Sequence, residues 1–277
     1  MIQIPNSCNY IAAFLTFACN FKCSYCINKH GVFKKCKPMS ADEWVGVLNR
    51  LPATDELPIT LQGGEPTLHP EFYDIVSQVN KPMDLLTNLS FDVDTFMRHV
   101  SPLTFKREAP YPAIRVSFHP EYHNVNDVVK KVRKLLTHGY QVGLYLVDHP
   151  SNSEVKEVLK FACEVFDIDF RVKEFLGMWK GKMYGTFKYD GAVNGDRLRE
   201  CMCKTSELLI APDGGIHRCH SDLYELSNSV GNIVDVRKEI KFEYLPCDKF
   251  GACNPCDVKV TTNRFQQYGH TSVDVTV

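Results

Sequence analysis

Six short β-rich runs separated by amphipathic stretches constrain what residues 10–175 can fold into. The runs are YIAAFLTF (10–17), PITLQ (58–62), MDLLTN (83–88), AIRVSFH (113–119), QVGLYLV (141–147) and DFRVKEF (169–175). Helical patterns lie between them at 40–51, 70–80, 92–100, 124–138 and 153–166. Ser40 with Glu43 three residues on forms a capping box. Pro70 suits a first helical position, and TNLSFDVDTF and NVNDVVKKV supply capping side chains. Strand–helix alternation of this kind predicts a parallel sheet with helices packed outside it. The fold class is therefore α/β, a partial (βα)6 TIM-like barrel.

Chemistry in such barrels sits at the C-terminal ends of the strands. That rule selects the cysteine loop after the first run, QGGEP after the second, TN after the third, SFHP after the fourth, VDHP after the fifth and KEF at the sixth. The segment SPLTFKREAPYP returns from a helix to a strand, so Lys106 and Arg107 are expected as solvated charges on the opposite face. After residue 176 the alternation stops. A stretch rich in glycine and aromatics, GMWKGKMYGTFKYDGAVNGD, precedes SELLIAPDGGIHRCH, which reads as a hairpin turning at PDGG. The expected division is a barrel over 1–175 and a small C-terminal cysteine-rich domain over 176–277. There is no internal repeat beyond the βα unit and no low-complexity tract.

The bulk of the sequence excludes several classes. With 277 residues, 44% hydrophobic and 23% charged, the chain has the composition of a globular protein. A net charge of −1 gives no basic surface for nucleic acid or anionic lipid. The longest apolar stretch, YIAAFLTFAC, is about ten residues, too short to span a bilayer, and no basic residue precedes it as in a signal peptide. A cytoplasmic location is expected. Twelve cysteines in such a chain point to metal ligands or redox groups rather than disulfides. Cys8, Cys36 and Cys163 stand apart from the clusters and read as small buried residues or spare thiols.

Cys19, Cys23 and Cys26 follow directly on the first strand with no fourth cysteine at the expected distance. Three thiolates can hold three irons of a [4Fe–4S] cube and leave the fourth iron open. An open position is what a catalytic metal centre keeps. The alternative is a zinc site completed by His30 or Cys36. Two glycines and an acid, Gly63, Gly64 and Glu65, lie at the neighbouring strand's end, where glycines let backbone approach a ligand closely.

The segment CNFKCSYC resembles the CxxxCxxC motif of radical S-adenosylmethionine (SAM) enzymes, and GGEP resembles their segment that holds the SAM amino group. The resemblance spans about residues 10 to 175. It implies that the open iron binds the amino and carboxylate groups of SAM. One electron, from an external donor such as flavodoxin or ferredoxin, then cleaves SAM to a 5′-deoxyadenosyl radical that abstracts a hydrogen atom. By position, Tyr25 matches the aromatic residue near the adenine, and Gly63, Gly64 and Glu65 match the amino-group segment. Thr87, Asn88 and Ser117 sit where the family contacts SAM polar groups; each also suits a helix cap or a strand-end hydrogen bond.

The later cysteines resemble the "twitch" relative of the SPASM extension: a cysteine, roughly ten residues, a glycine, four residues, a cysteine, then CxxC. Cys203, Gly214, Cys219, Cys253 and Cys256 fit, and Cys201 fits nearly as well as Cys203. The resemblance implies one auxiliary [4Fe–4S] cluster held by Cys203, Cys219, Cys253 and Cys256. A zinc ribbon is the alternative. Cys247 is open to three roles: a ligand, a structural residue, or a thiol that returns a hydrogen atom to a substrate radical. His217 and His220 flank Cys219 and read as exposed hairpin histidines, with a histidine ligand to the site as the alternative.

The expected activity is abstraction of a hydrogen atom from a small, sugar-like or aminocyclitol substrate, leading to dehydrogenation or epimerisation. About ten residues before the first strand leave little room for an N-terminal peptide-recognition module. His119, Tyr122, Asp148, His149, Lys173 and Glu174 offer hydroxyl-binding groups at the rim. The alternatives are maturation of a peptide or protein side chain, activation of a glycyl-radical enzyme, and a non-catalytic zinc or electron-transfer module; GGEP argues against the last.

Overall fold

The computed structural model describes residues 1–26, 36–189, 191, 199–251 and 272–276. Six parallel strands run in chain order: β1 (Tyr10–Thr16), β2 (Ile59–Gly63), β3 (Met83–Thr87), β4 (Ile114–Phe118), β5 (Val142–Asp148) and β6 (Asp169–Glu174). Helices α1 (Ala41–Leu48), α2 (Phe72–Gln78), α3 (Val93–His99), α4 (Val125–Thr137) and α5 (Ser153–Val165) connect them. This is the α/β partial-barrel arrangement that the alternation predicts.

Local chemistry explains these elements. Ser40 caps α1 in a capping box: its backbone N–H donates to the Glu43 carboxylate at 2.8 Å, and the Glu43 N–H donates to the Ser40 hydroxyl at 3.4 Å. Asp92 and Asn124 cap α3 and α4. Pro70 does not open α2. Pro66–Leu68 forms a short 3-10 turn, and α2 starts at Phe72, with Glu71 at the N-cap position but no side-chain capping bond.

Strand alternation divides the side chains into two layers. Ile11, Ala13 and Leu15 of β1, Ile59 and Leu61 of β2, and Ile114, Val116 and Phe118 of β4 pack outward with Trp44, Phe72, Phe96 and Leu159 of the helices. Ala12 and Phe14 face the other way. The inward positions of β2–β5 are largely polar: Thr60 and Gln62, Asp84, Arg115 and Ser117, and Tyr145.

Arg107 is not solvated. It is buried and paired with the fully buried Asp84, which also binds Arg115 and the Tyr111 hydroxyl. The return loop folds this side chain under the barrel, where its Nε donates to Asp84 Oδ1 at 2.6 Å. Lys106 is exposed as expected.

Beyond β6 come two short strands, β7 (Gly177–Trp179) and β8 (Lys182–Tyr184), paired as a hairpin. Then follow β9 (Arg199–Thr205), β10 (Glu207–Ile210), β11 (Gly215–His217), α6 (His220–Glu225), β12 (Ser229–Asn232), β13 (Leu245–Phe250) and β14 (Val273–Thr276). The hairpin at PDGG forms, and β10 then pairs in parallel with β1. The main sheet thus runs β12-β11-β10-β1-β2-β3-β4-β5-β6, with three strands from beyond residue 176 continuing it. Strands β13, β9 and β14 form a separate small sheet. His217 is buried, not exposed, and pairs with the Ser227 carbonyl at 3.0 Å; His220 is half-buried beside Phe14 and Tyr224. Among the described residues no helix is long and apolar enough to cross a membrane.

Candidate active site

The C-terminal ends of β1–β4 surround a cavity of about 350 Å3. Its lining includes Cys19, Cys23 and Cys26 with Gly63, Gly64, Glu65, Thr87, Asn88 and Ser117, so nine of the expected site residues meet in one place. Tyr25 stands beside them, its hydroxyl 3.2 Å from His119 Nδ1 and its ring stacked on His149 at 5.4 Å.

The glycines have a defined task. At the β1–β2 junction the Gly64 N–H donates to the Thr16 carbonyl and the Glu65 N–H to the Ala18 carbonyl, both at 2.8 Å. A Cβ on Gly64 would stand 2.2 Å from the Ala18 oxygen, and one on Gly63, where φ is +148°, 2.0 Å from the Thr16 oxygen. The close approach is between two backbones. It seats the cysteine loop on the tip of β2.

Glu65 is fully buried and joins three segments. Oε1 accepts from the hydroxyls of Thr67 (2.7 Å) and Thr87 (2.8 Å); Oε2 accepts from the Asn88 N–H (2.7 Å). Burial pushes its carboxyl upward while these bonds pull it down. The Asn88 amide reaches Asn20 Oδ1 at 2.9 Å inside the cysteine loop.

The segment after β4 clasps that loop. The Lys22 N–H donates to the Tyr122 hydroxyl at 2.8 Å, and the Phe21 ring stacks on Tyr122 at 4.4 Å. The Ser24 N–H donates to Glu121 at 2.9 Å. His123 Nδ1 accepts from the His119 N–H at 2.9 Å, so its Nε2 carries the proton and donates to the Asn88 carbonyl at 2.9 Å. Burial drives both His119 and His123 down to about 4, which keeps them neutral. Of the six rim groups expected to hold hydroxyls, His119 lines the cavity. Tyr122 serves the loop, Asp148 pairs with Lys156 at 2.9 Å, and Glu174 accepts from Thr186 at 2.9 Å. His149 caps a 3-10 turn, and Lys173 stands 5.5 Å from the centre of the Tyr145 ring.

The donor set fits a thiolate-held cluster. Three thiols line one wall of the cavity, and burial with the neighbouring Cys26 sulfur pushes Cys23 up to about 12. A bound cation reverses that direction and holds the sulfurs as thiolates. His30 lies outside the described residues, and Cys36 is half-buried without lining the cavity.

A second thiol group lies in the small sheet. Cys201 and Cys203 share one face of β9, and Cys247 is the register partner of Cys201 on β13. Their three sulfurs lie within 4.8 Å of one another. The bond from Cys203 and the Arg218 guanidinium pull Cys247 below the ordinary thiol range. Cys219 packs against the same small core and caps α6, accepting from the Asp222 N–H at 3.4 Å. Cys253 and Cys256 lie outside the described residues. The group is compatible with an auxiliary iron–sulfur cluster. Cys247 does not line the cavity.

Sequence reasoning did not find Phe17, Phe21, Lys22, Gln62, Leu86 or Tyr224 in the lining. Inward alternation on β2 is a signal for Gln62. Nothing local points to Tyr224, which α6 delivers from the C-terminal region onto Phe14 and Phe17 at 5.7 and 5.8 Å.

A sequence model described as the Radical SAM superfamily matches residues 14–162. The chain is 24% identical over 272 residues to GTP 3',8-cyclase of Clostridium perfringens (strain 13 / Type A), covering 94% of this chain and 79% of that protein. It is 32% identical over 75 residues to PqqA peptide cyclase of Bradyrhizobium diazoefficiens, covering 27% of this chain and 20% of that one. Among solved structures it is similar to native anSMEcpe with bound S-adenosylmethionine and the Kp18Cys peptide. The TM-score is 0.56 at 17% identity, over 82% of this chain and 78% of that one. That likeness is one of fold.

Proposed function

The chain belongs to the radical SAM superfamily, and from that premise we propose that it oxidises a small, hydroxyl-bearing substrate of sugar or aminocyclitol type. The supporting observation is the polar lumen beside the cysteine loop. Gln62 and Ser117 line the cavity, and Tyr145 is the register partner of Ser117. Branched aliphatic side chains usually fill such positions in closed barrels; amide and hydroxyl groups can exchange hydrogen bonds with a polyol.

When bound, the cluster and SAM supply a 5′-deoxyadenosyl radical that takes a hydrogen atom from the substrate. Cys19, Cys23 and Cys26 would hold three irons. Gly63, Gly64, Glu65, Thr87, Asn88 and Ser117 would surround the methionine end of SAM, and Tyr25 would lie against the adenine. An external one-electron donor, such as flavodoxin or ferredoxin, would provide the electron.

Oxidation is favoured over epimerisation by the position of Cys247. Epimerisation needs a hydrogen donor at the substrate. Among the described residues, the thiols lining the cavity are Cys19, Cys23 and Cys26. A dehydrogenated carbinol must lose one further electron and one proton. A centre held by the C-terminal thiols would accept the electron, and the proton would pass to solvent.

A second reading, modification of a peptide side chain, is supported by the fold shared with anSMEcpe, solved with a peptide, and by the short match to PqqA peptide cyclase. Deuterated polyols, aminocyclitols and peptides, each incubated with reduced protein and SAM, separate the two. Deuterium from a polyol in 5′-deoxyadenosine, with a carbonyl product, is the expected result. Transfer from peptides alone overturns the small-molecule reading.

A further inference from the structure

Beneath the lumen of the barrel two buried guanidiniums share one carboxylate. Asp84 is fully buried between two buried guanidiniums. Arg107 Nε donates to Oδ1 at 2.6 Å, and its Nη2 stands 2.5 Å from the same oxygen without hydrogen-bond alignment. Arg115 Nη2 donates to Oδ2 at 3.1 Å. Among the described residues no second carboxylate bonds either arginine, so two cations share one anion. Surplus charge away from water is costly unless something compensates it.

Three donors on the inward face have no acceptor among the described residues: Arg115 Nε, Gln62 Nε2 and the Tyr145 hydroxyl. The Arg115 and Tyr145 side chains are almost wholly buried, at 2% and 3% exposure. Their register places them beside the cavity. Arg115 is the partner of Leu86, and Tyr145 the partner of Ser117; Leu86, Ser117 and Gln62 all line it. Buried donors left unmatched are rare. Three of them on β2, β4 and β5 of one inward face, beside two guanidiniums that share one carboxylate, are the complement of an oxyanion.

We infer that the lumen beside the radical site seats an anionic group of the substrate, a carboxylate or a phosphate, against Arg115, Gln62 and Tyr145. The substrate is then an acidic polyol, such as a sugar acid or a sugar phosphate. Burial raises the Tyr145 phenol, so it stays protonated and donates. The inference deepens the small-molecule reading and rests on substrate occupying this cavity.

The test follows melting of anaerobically reconstituted protein against sodium phosphate and sodium acetate, each compared with sodium chloride at equal ionic strength. One anion is expected to raise the melting temperature saturably, and whichever binds more tightly names the group. Tyr145→Phe and Gln62→Leu should each weaken that effect about tenfold or more, since each removes a hydrogen bond to a charged group. No saturable rise over chloride, or the same affinity in both variants, overturns the inference. Cleavage of SAM to 5′-deoxyadenosine by the reduced parent protein is measured alongside. Its absence fails the radical reading whatever the anions do; its presence without an anion effect fails the anion seat alone.

Discussion

The carboxylate of Glu65 and the main-chain N–H of Asn88, 23 residues apart in sequence, are joined at 2.7 Å across the tips of β2 and β3. The other oxygen of Glu65 receives two threonine hydroxyls. The Thr87 hydroxyl also accepts from the Leu89 N–H at 3.0 Å, so its own proton is committed to Glu65. Both carboxylate oxygens therefore face donors. Glu65→Gln must turn an NH2 group onto one of them. The expected cost is about 1–3 kcal/mol of stability with about a tenfold loss of SAM affinity, read by thermal melting and by SAM titration of the iron-loaded protein. Unchanged values would mean that the loop tolerates an amide here.

Gly64→Ala should cost far more than its size suggests. The new Cβ would lie 2.2 Å from the Ala18 carbonyl, which is main chain, and the cysteine loop has to lift off β2. Poor iron loading and a lowered melting temperature are expected. Gly46→Ala in α1, where a Cβ meets nothing within 4 Å, is the control and should stabilise by about 0.5–1 kcal/mol.

Iron and sulfide counts separate the two thiol groups. The parent should hold about eight irons, and a protein with Cys19, Cys23 and Cys26 all changed to alanine about four. Changing Cys201, Cys203 and Cys247 together should remove the complementary four. If that second variant keeps the parent's iron, these sulfurs hold no cluster and the electron-acceptor role falls.

Acid should loosen the clasp on the cysteine loop. His119 and His123 titrate at about 4 in the fold, below the ordinary value near 6.5. Stability from their neutral forms is therefore complete above about pH 6.5 and is lost as pH falls toward about 4, where the folded groups take up protons. Melting of iron-free protein between pH 7 and 4.5 should show this decline. His123→Leu should flatten it, at the loss of the bond to the Asn88 carbonyl.

Asp84→Asn should destabilise by about 3–5 kcal/mol, because it strands two buried guanidiniums. Chemical denaturation measures it directly. A loss under 1 kcal/mol would place water, not Asp84, as the main partner of Arg107 and Arg115.

The strands and helices were legible because their signals are local: period-two apolar runs, capping side chains and the two motifs. Each of the six barrel strands begins and ends within one or two residues of its sequence run. What stayed hidden depends on distant partners. The burial of Arg107 is set by Asp84, on another strand. The burial of His217 follows from its hairpin's docking beside β1. The company of Cys201 and Cys247 comes from antiparallel register rather than spacing. Tyr122 and Glu121 carried no local mark of their duty to the cysteine loop, since their partners lie 100 and 97 residues away.

The pairing of β1 with β10 also bears on the order of events at the ribosome. Tyr10 meets Glu207 and Ala13 meets Ile210, so the first strand to emerge waits for its second neighbour until most of the chain has been made. Until then β1 presents an open hydrogen-bonding edge and apolar side chains, a ready template for wrong pairing with another nascent chain. A protein cut at residue 175 inherits that edge for good. Such a fragment should precipitate rather than persist as a small radical enzyme, which makes the C-terminal region a chaperone in cis for the strand that leads into the cysteine loop.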